Sequence, residues 1–146
     1  MSLENLVRTG QLKPHIASRE PIALLMAAAA RNLKDAHQQL TSAETRFDCG
    51  YKVILQSATV ALQASGYRPD NKRPGHHAVT IQSLALTLDV ASARLAILDK
   101  LREKRNLSDY TGAPLDEVAT EACVEQATRL VADVRAWLAR HHPELA

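Results

Sequence analysis

Apolar residues recur at intervals of three and four over most of the chain. Ile22, Leu25, Met26, Ala29, Leu33, Ala36 and Leu40 make one such series, opened by Glu20-Pro21, and predict a long helix with proline in its first turn. The tetrad Ala27 to Ala30 adds helix propensity and leaves room for a close neighbour. Ahead of it, Leu3, Leu6 and Leu12, broken by Gly10 and Pro14, predict a short helix or arm over about residues 1–19, able to pack on its own domain or to reach a partner. A second helix starts from a Thr41 or Ser42 cap, runs through Phe47, Tyr51, Leu55, Ala58 and Leu62, and stops near Gly66.

The stretch Tyr67 to Gly75 (YRPDNKRPG) holds two prolines and three basic residues and reads as an exposed connection. Val79, Ile81, Leu84, Ala85 and Leu88 predict a short third helix over His76 to Leu88, after which Asp89 can cap a fourth, Val90 to Tyr110, ended by Gly112. Pro114 opens a fifth, with Asp116 and Glu117 in its first turn, Ala119, Cys123, Gln126, Leu130, Val134 and Trp137 on one stripe, and Arg140, His141 and His142 at the favoured cationic end. No period-two alternation flanked by hairpin turns occurs. The expected fold is therefore all-α: one up-and-down bundle of four to five helices spanning residues 1–146.

Composition narrows the function classes. The 146 residues suit one core, and a formal net charge of +2 is far from the dense basic excess of a dedicated nucleic-acid coat. Aromatics are 3% of residues, too few for a platform that stacks single-stranded bases. Cys49 and Cys123, far apart and outside any CxxC pair, read as small core residues in a reducing compartment and give no zinc site. The amino-terminal residues lack the charged start and apolar run of a signal peptide, and no stretch reaches the roughly 20 apolar residues of a membrane span, so the expected location is cytoplasmic, without membrane attachment. No GxGxxG, P-loop, GxSxG or HExxH motif occurs, and no cofactor is expected.

The candidate chemistry sits in the fourth helix. Steps of three and four from Ala91 reach Leu95, Leu98, Arg102, Arg105 and Asp109, which places Arg102 and Arg105 on the continuation of the apolar stripe. A cation there needs a carboxylate, a carbonyl or a phosphate, because an unpaired buried charge costs several kcal/mol. Arginine's planar fork of donors suits phosphate, and Asn106 adds an amide. The structural alternative is a helical turn in which Arg102 or Arg105 pairs with Asp109 or with carboxylates of another helix, and Tyr110 caps the core.

In helix order and in Arg105-Asn106-Leu107-Ser108-Asp109-Tyr110, the chain resembles the HEPN superfamily of small helical-bundle proteins over about Glu20 to Trp137. Members carry an Arg, a polar residue that is often Asn, and then a His near the end of the penultimate helix; Gly75 to Leu84 (GHHAVTIQSL) is similar to the family's third helix. The resemblance implies RNA or nucleotide phosphate as ligand and metal-independent ribonuclease chemistry, in which the His and Arg activate the ribose 2′-hydroxyl and stabilise the phosphorane. It also implies a homodimer with facing motifs, a role in a toxin or defence system, and an antitoxin or nucleotidyltransferase partner. Some members carry a tyrosine after the motif that the transferase modifies; Tyr110 falls two residues ahead of that place, which Gly112 fills.

Where the family has its His, five residues after Arg105, this chain has Tyr110. A phenol, with an ordinary pKa of about 10, is a poor base beside an imidazole at about 6.5. His76 and His77 are the substitutes, able to approach Arg105 if the third and fourth helices pack antiparallel; as neighbours on a helix they point about 100° apart and cannot clamp one metal. The candidate set is thus Arg105, Asn106 and Tyr110, with His76 or His77 completing catalysis and Arg102, Lys72, Arg73 and Asp109 supporting binding. Arg68 to His77 and Lys100 to Arg105 together would form one basic patch. The competing expectation is a non-catalytic protein–protein interaction module in which the RNxxDY turn is structural.

Overall fold

The computed structural model describes all 146 residues. The fold is an all-α bundle built on helices α1 (Leu3–Arg8), α2 (Arg19–Ala36), α3 (Ala43–Ala64), α4 (His76–Gln82), α5 (Leu84–Thr87), α6 (Ser92–Thr111) and α7 (Glu117–His141), closed by a 3-10 turn at Pro143–Leu145. Short strands β1 (Leu12–Pro14) and β2 (Tyr67–Pro69) lie in the α1–α2 and α3–α4 connections.

Local signals set the helix ends. Ser42 Oγ accepts from the Thr45 amide at 3.2 Å, and Asp116 Oδ1 accepts from the Ala119 amide at 2.7 Å, so each supplies a first-turn donor with an acceptor. Gly112 ends α6 with φ 71°, a left-handed conformation that disfavours a side chain. Four boundaries differ from the sequence-based expectation. Helix α7 starts at Glu117 behind the Asp116 cap, not at Pro114. Leu40 lies past the end of α2 and is fully exposed. The third helix is divided at Ser83 into α4 and α5. Asp89, at φ 57°, is a turn residue, and Ala91 stands at the N-cap of α6 without a side-chain bond.

Helix α3 is the centre. Twelve of its residues are buried, among them Phe47, Tyr51, Ile54, Ala58 and Leu62, and α2 and α7 pack along it. From α2 come Ile22, Ala29 and Ala36, spaced by seven, two of them alanines that let the axes approach. From α7 comes the expected stripe of Ala119, Cys123, Gln126, Leu130 and Val134, with Trp137 half-buried beyond it. At Gly50 a Cβ atom would stand 3.2 Å from Cys123 Sγ, so glycine sets the α3–α7 spacing there. Of the two cysteines, Cys123 is a core residue as expected, whereas Cys49 is only half-buried.

Arg46 ties one end of the bundle together. Its Nε donates to the Ala36 carbonyl at 3.0 Å, satisfying an orphan acceptor at the end of α2, while its terminal nitrogens reach Glu117 at 3.4 Å and Glu121 at 2.7 Å.

The two short strands add a small pairing to the expected all-α bundle. They are antiparallel, with Leu12 opposite Pro69, Lys13 opposite Arg68 and Pro14 opposite Tyr67. Three residues are too few to display alternation, and the partners lie more than fifty residues apart in the chain. The pairing settles the amino-terminal arm on its own bundle, where Leu6 and Leu12 meet Leu62 in a small apolar cluster.

Candidate functional site

Helix α6 buries only Leu98 and Leu101 and runs along the outside of α3 and α4. Its stripe therefore leaves the core at Arg102 and Arg105, both half-buried on successive turns. Arg105 spans three partners. Its Nε lies 3.4 Å from Asp48 Oδ1 on α3 and 3.4 Å from Asp109 Oδ2 one turn on, and its guanidinium carbon stands 5.0 Å from the centroid of the Tyr51 ring. Arg102 is held by its own helix, Nε to Asp99 Oδ1 at 2.9 Å, a contact that favours its charged form. In both arginines the ion pairs engage Nε, which leaves the terminal amino groups for another acceptor.

Tyr51 joins this face to α4. Its ring is buried, 1% exposed, and its hydroxyl lies 3.4 Å from His77 Nδ1. Burial pushes the Tyr51 phenol up to about 12 against the opposing pull of Arg105 and Arg102, so it keeps its proton. His77 is held below the ordinary imidazole range, first by burial and then by the positive charges of His76, Arg105 and Arg102. His77 is thus neutral at pH 7. A base role through Nε2 would require the tautomer that keeps its proton on Nδ1 and donates it to the Tyr51 oxygen. His76 packs edge-on against His77 with 4.6 Å between ring centroids, and its Nδ1 faces the Arg73 carbonyl at 3.2 Å.

The two sides of Arg105 differ in charge. On one side Glu44, Asp48 and Asp109 line a recess of about 190 Å³, an acidic wall that repels an anion. On the other stand Arg102 and His77, and His77 continues into a groove of about 470 Å³ between α3, β2 and α4, lined also by Arg68, Asn71 and His76.

The structure brings together Arg102, Arg105, Asp109 and His77 from the sequence-derived set. Asn106 lies half-buried one turn beyond Arg102. Tyr110 does not converge on the site and does not cap the core: it is 90% exposed, because five residues from Arg105 carry it roughly 140° around the helix. Lys72 is exposed in the connection, and Arg73 is turned the other way, its Nη1 donating to the Thr9 carbonyl at 2.8 Å. The basic patch is therefore narrower than expected, made of Arg68, His76, His77, and Arg102 and Arg105 of α6. The sequence pattern marks Tyr51 only as a helix-stripe residue and does not single out Asp48 or Arg46; the sole signal for them is a polar group at each of these places on or beside the α3 stripe.

A comparison with protein-family models, with curated proteins and with solved structures returns no match to the chain. The site stands on its geometry. No group of His, Cys, Asp and Glu residues is arranged to hold a metal ion, and no helix is long and apolar enough to cross a membrane.

Proposed function

We propose that the chain is a HEPN-like protein that binds RNA or nucleotide phosphates through Arg102 and Arg105, acts as a cytoplasmic homodimer, and belongs to a toxin or defence system with an antitoxin or nucleotidyltransferase partner. The observation that carries this reading is the meeting of Arg105 and Arg102 with a neutral His77 around the Tyr51 ring, with terminal guanidinium donors uncommitted. A phosphodiester approaches from the His77 side, away from Asp48 and Asp109, and takes donors from both arginines. His77 replaces the motif histidine that Tyr110 cannot supply. In cleavage, Nε2 would take the proton of a ribose 2′-hydroxyl, the oxygen would attack phosphorus, and the 5′-oxygen would leave and be protonated from water.

The test is incubation of the purified protein with total RNA and transfer RNA in excess chelator, for wild type, Arg105→Ala and His77→Gln, scoring cleavage and gel retardation together. The expected result is retardation that falls steeply with salt and is lost in Arg105→Ala. Cleavage lost in His77→Gln with retardation kept would assign the base, whereas absence of both cleavage and retardation in wild type would remove the reading.

One observation favours a second reading, a non-catalytic interaction module: Asp48 and Asp109 already flank Arg105, while α6 exposes Ile97, Leu107 and Tyr110 to solvent. In that case Arg105→Ala weakens folding and leaves ligand binding unaffected.

A further inference from the structure

A second cleft lies at the opposite end of α6, between the turn from Leu88 to Ala91 and the C-terminal half of α7. It encloses about 510 Å³, within the ordinary range for small-molecule sites. From Arg94 to Arg105 is eleven residues of helix, about 16 Å along its axis, so the two places are distinct. We infer that this cleft binds a small ligand that joins a flat ring to an anionic group, of the size and chemistry of a nucleoside monophosphate.

Three kinds of group converge there. The half-buried indole of Trp137 lines the cleft with the His142 ring against it at 4.9 Å between centroids, and its remaining surface can meet a flat ring. Arg140 and His141, from the last turn of α7, supply cationic and hydrogen-bonding donors for an anion. Asp133 and Asp89 supply carboxylate acceptors for hydroxyl or amino groups on the same ligand.

Arg94 shows that the wall is built. Its Nη1 is held by Asp133 Oδ2 at 2.7 Å and its Nε by Gln126 Oε1 at 3.3 Å, while Nη2 is buried with no acceptor in the protein. The mixture of both charges with one aromatic surface disfavours a purely apolar molecule, which would leave these groups desolvated and unpaired.

Trp137 is the chain's single tryptophan, so its fluorescence reports on this cleft directly. The intact protein is titrated with AMP, adenosine and inorganic phosphate, and AMP binding is measured in parallel by equilibrium dialysis. The expected result is a saturable fluorescence change with AMP at a midpoint that dialysis reproduces, at least tenfold weaker binding of adenosine and of phosphate, and at least tenfold weakening by Arg140→Gln/His141→Gln in a protein of unchanged circular dichroism. Arg105→Gln is expected to leave the Trp137 titration unchanged, which separates this cleft from the phosphate site on the far end of α6. Absence of AMP binding by dialysis, equal binding of AMP and adenosine, or AMP binding that is lost in Arg105→Gln but kept in the Arg140/His141 variant would each overturn the inference.

Discussion

The Arg105 guanidinium carbon lies 5.0 Å from the centre of the Tyr51 ring, a cation over the face of a buried aromatic. The contact is worth about 0.5–2 kcal/mol, depending on how much water it excludes. The ion pairs to Asp48 and Asp109 are part-exposed and add about 0–1 kcal/mol. Arg105→Ala is therefore expected to lower folding stability by about 1–2 kcal/mol, as read by urea denaturation. A loss within that range still leaves a folded protein for the RNA assay. A loss well above it, with RNA binding intact, would favour the structural role of the RNxxDY turn.

Tyr51 separates its ring from its hydroxyl. Tyr51→Phe keeps the surface under Arg105 and removes the contact with His77 Nδ1, at an expected cost of about 1 kcal/mol or less. Tyr51→Ala empties a fully buried position and is expected to cost about 3–5 kcal/mol. If His77 serves as base in the tautomer that Tyr51 holds, Tyr51→Phe lowers the cleavage rate while RNA retardation is unchanged; equal rates in both proteins would exclude that positioning role.

His77 gives the fold a pH dependence whose sign is set by its lowered pKa. The folded state prefers the neutral ring, so this contribution is complete above the unfolded imidazole value of about 6.5 and is lost as pH falls through the lower folded value. Thermal midpoints at pH 7 and pH 5 are expected to fall on acidification, and to fall less in His77→Gln. The same drop in both proteins would mean that other groups set the acid limb.

Gly50 faces Cys123 across the α3–α7 seam, and an added Cβ would meet Sγ at 3.2 Å. Alanine is the better helix former by about 1 kcal/mol, but overpacking costs about 1–3 kcal/mol. Gly50→Ala is expected to destabilise on balance. Adding Cys123→Ala should recover much of the loss by removing the sulfur, so a double-mutant cycle should return a coupling energy of clear sign; additive effects would contradict the close approach.

Arg46 is 2% exposed, while its partners Glu117 and Glu121 are mostly in water. Removing the arginine leaves no buried charge behind, so the cost of Arg46→Ala comes from lost packing and from the Ala36 carbonyl, and is expected to be about 1–3 kcal/mol. Arg46→Met restores the stem and should lose less. Chemical denaturation of the two variants tests the order.

The sequence by itself determined the long helices and several of their ends, because those depend on groups within four residues of one another: Ser42 with Thr45, Ser108 with Gly112. It also determined that Arg102 and Arg105 extend the apolar stripe of α6, since helical pitch alone places them there. Tertiary structure decided what they meet. Asp48 and Tyr51 reach Arg105 across more than fifty residues of chain, and β1 reaches β2 across a similar distance, through packing that no local spacing encodes. It likewise brought His77 to the Tyr51 hydroxyl, whereas helical pitch had already carried Tyr110 away from Arg105 into solvent. Hydrogen bonds and pitch act between near neighbours in sequence, whereas the partners of a half-buried charge are chosen by how whole helices pack.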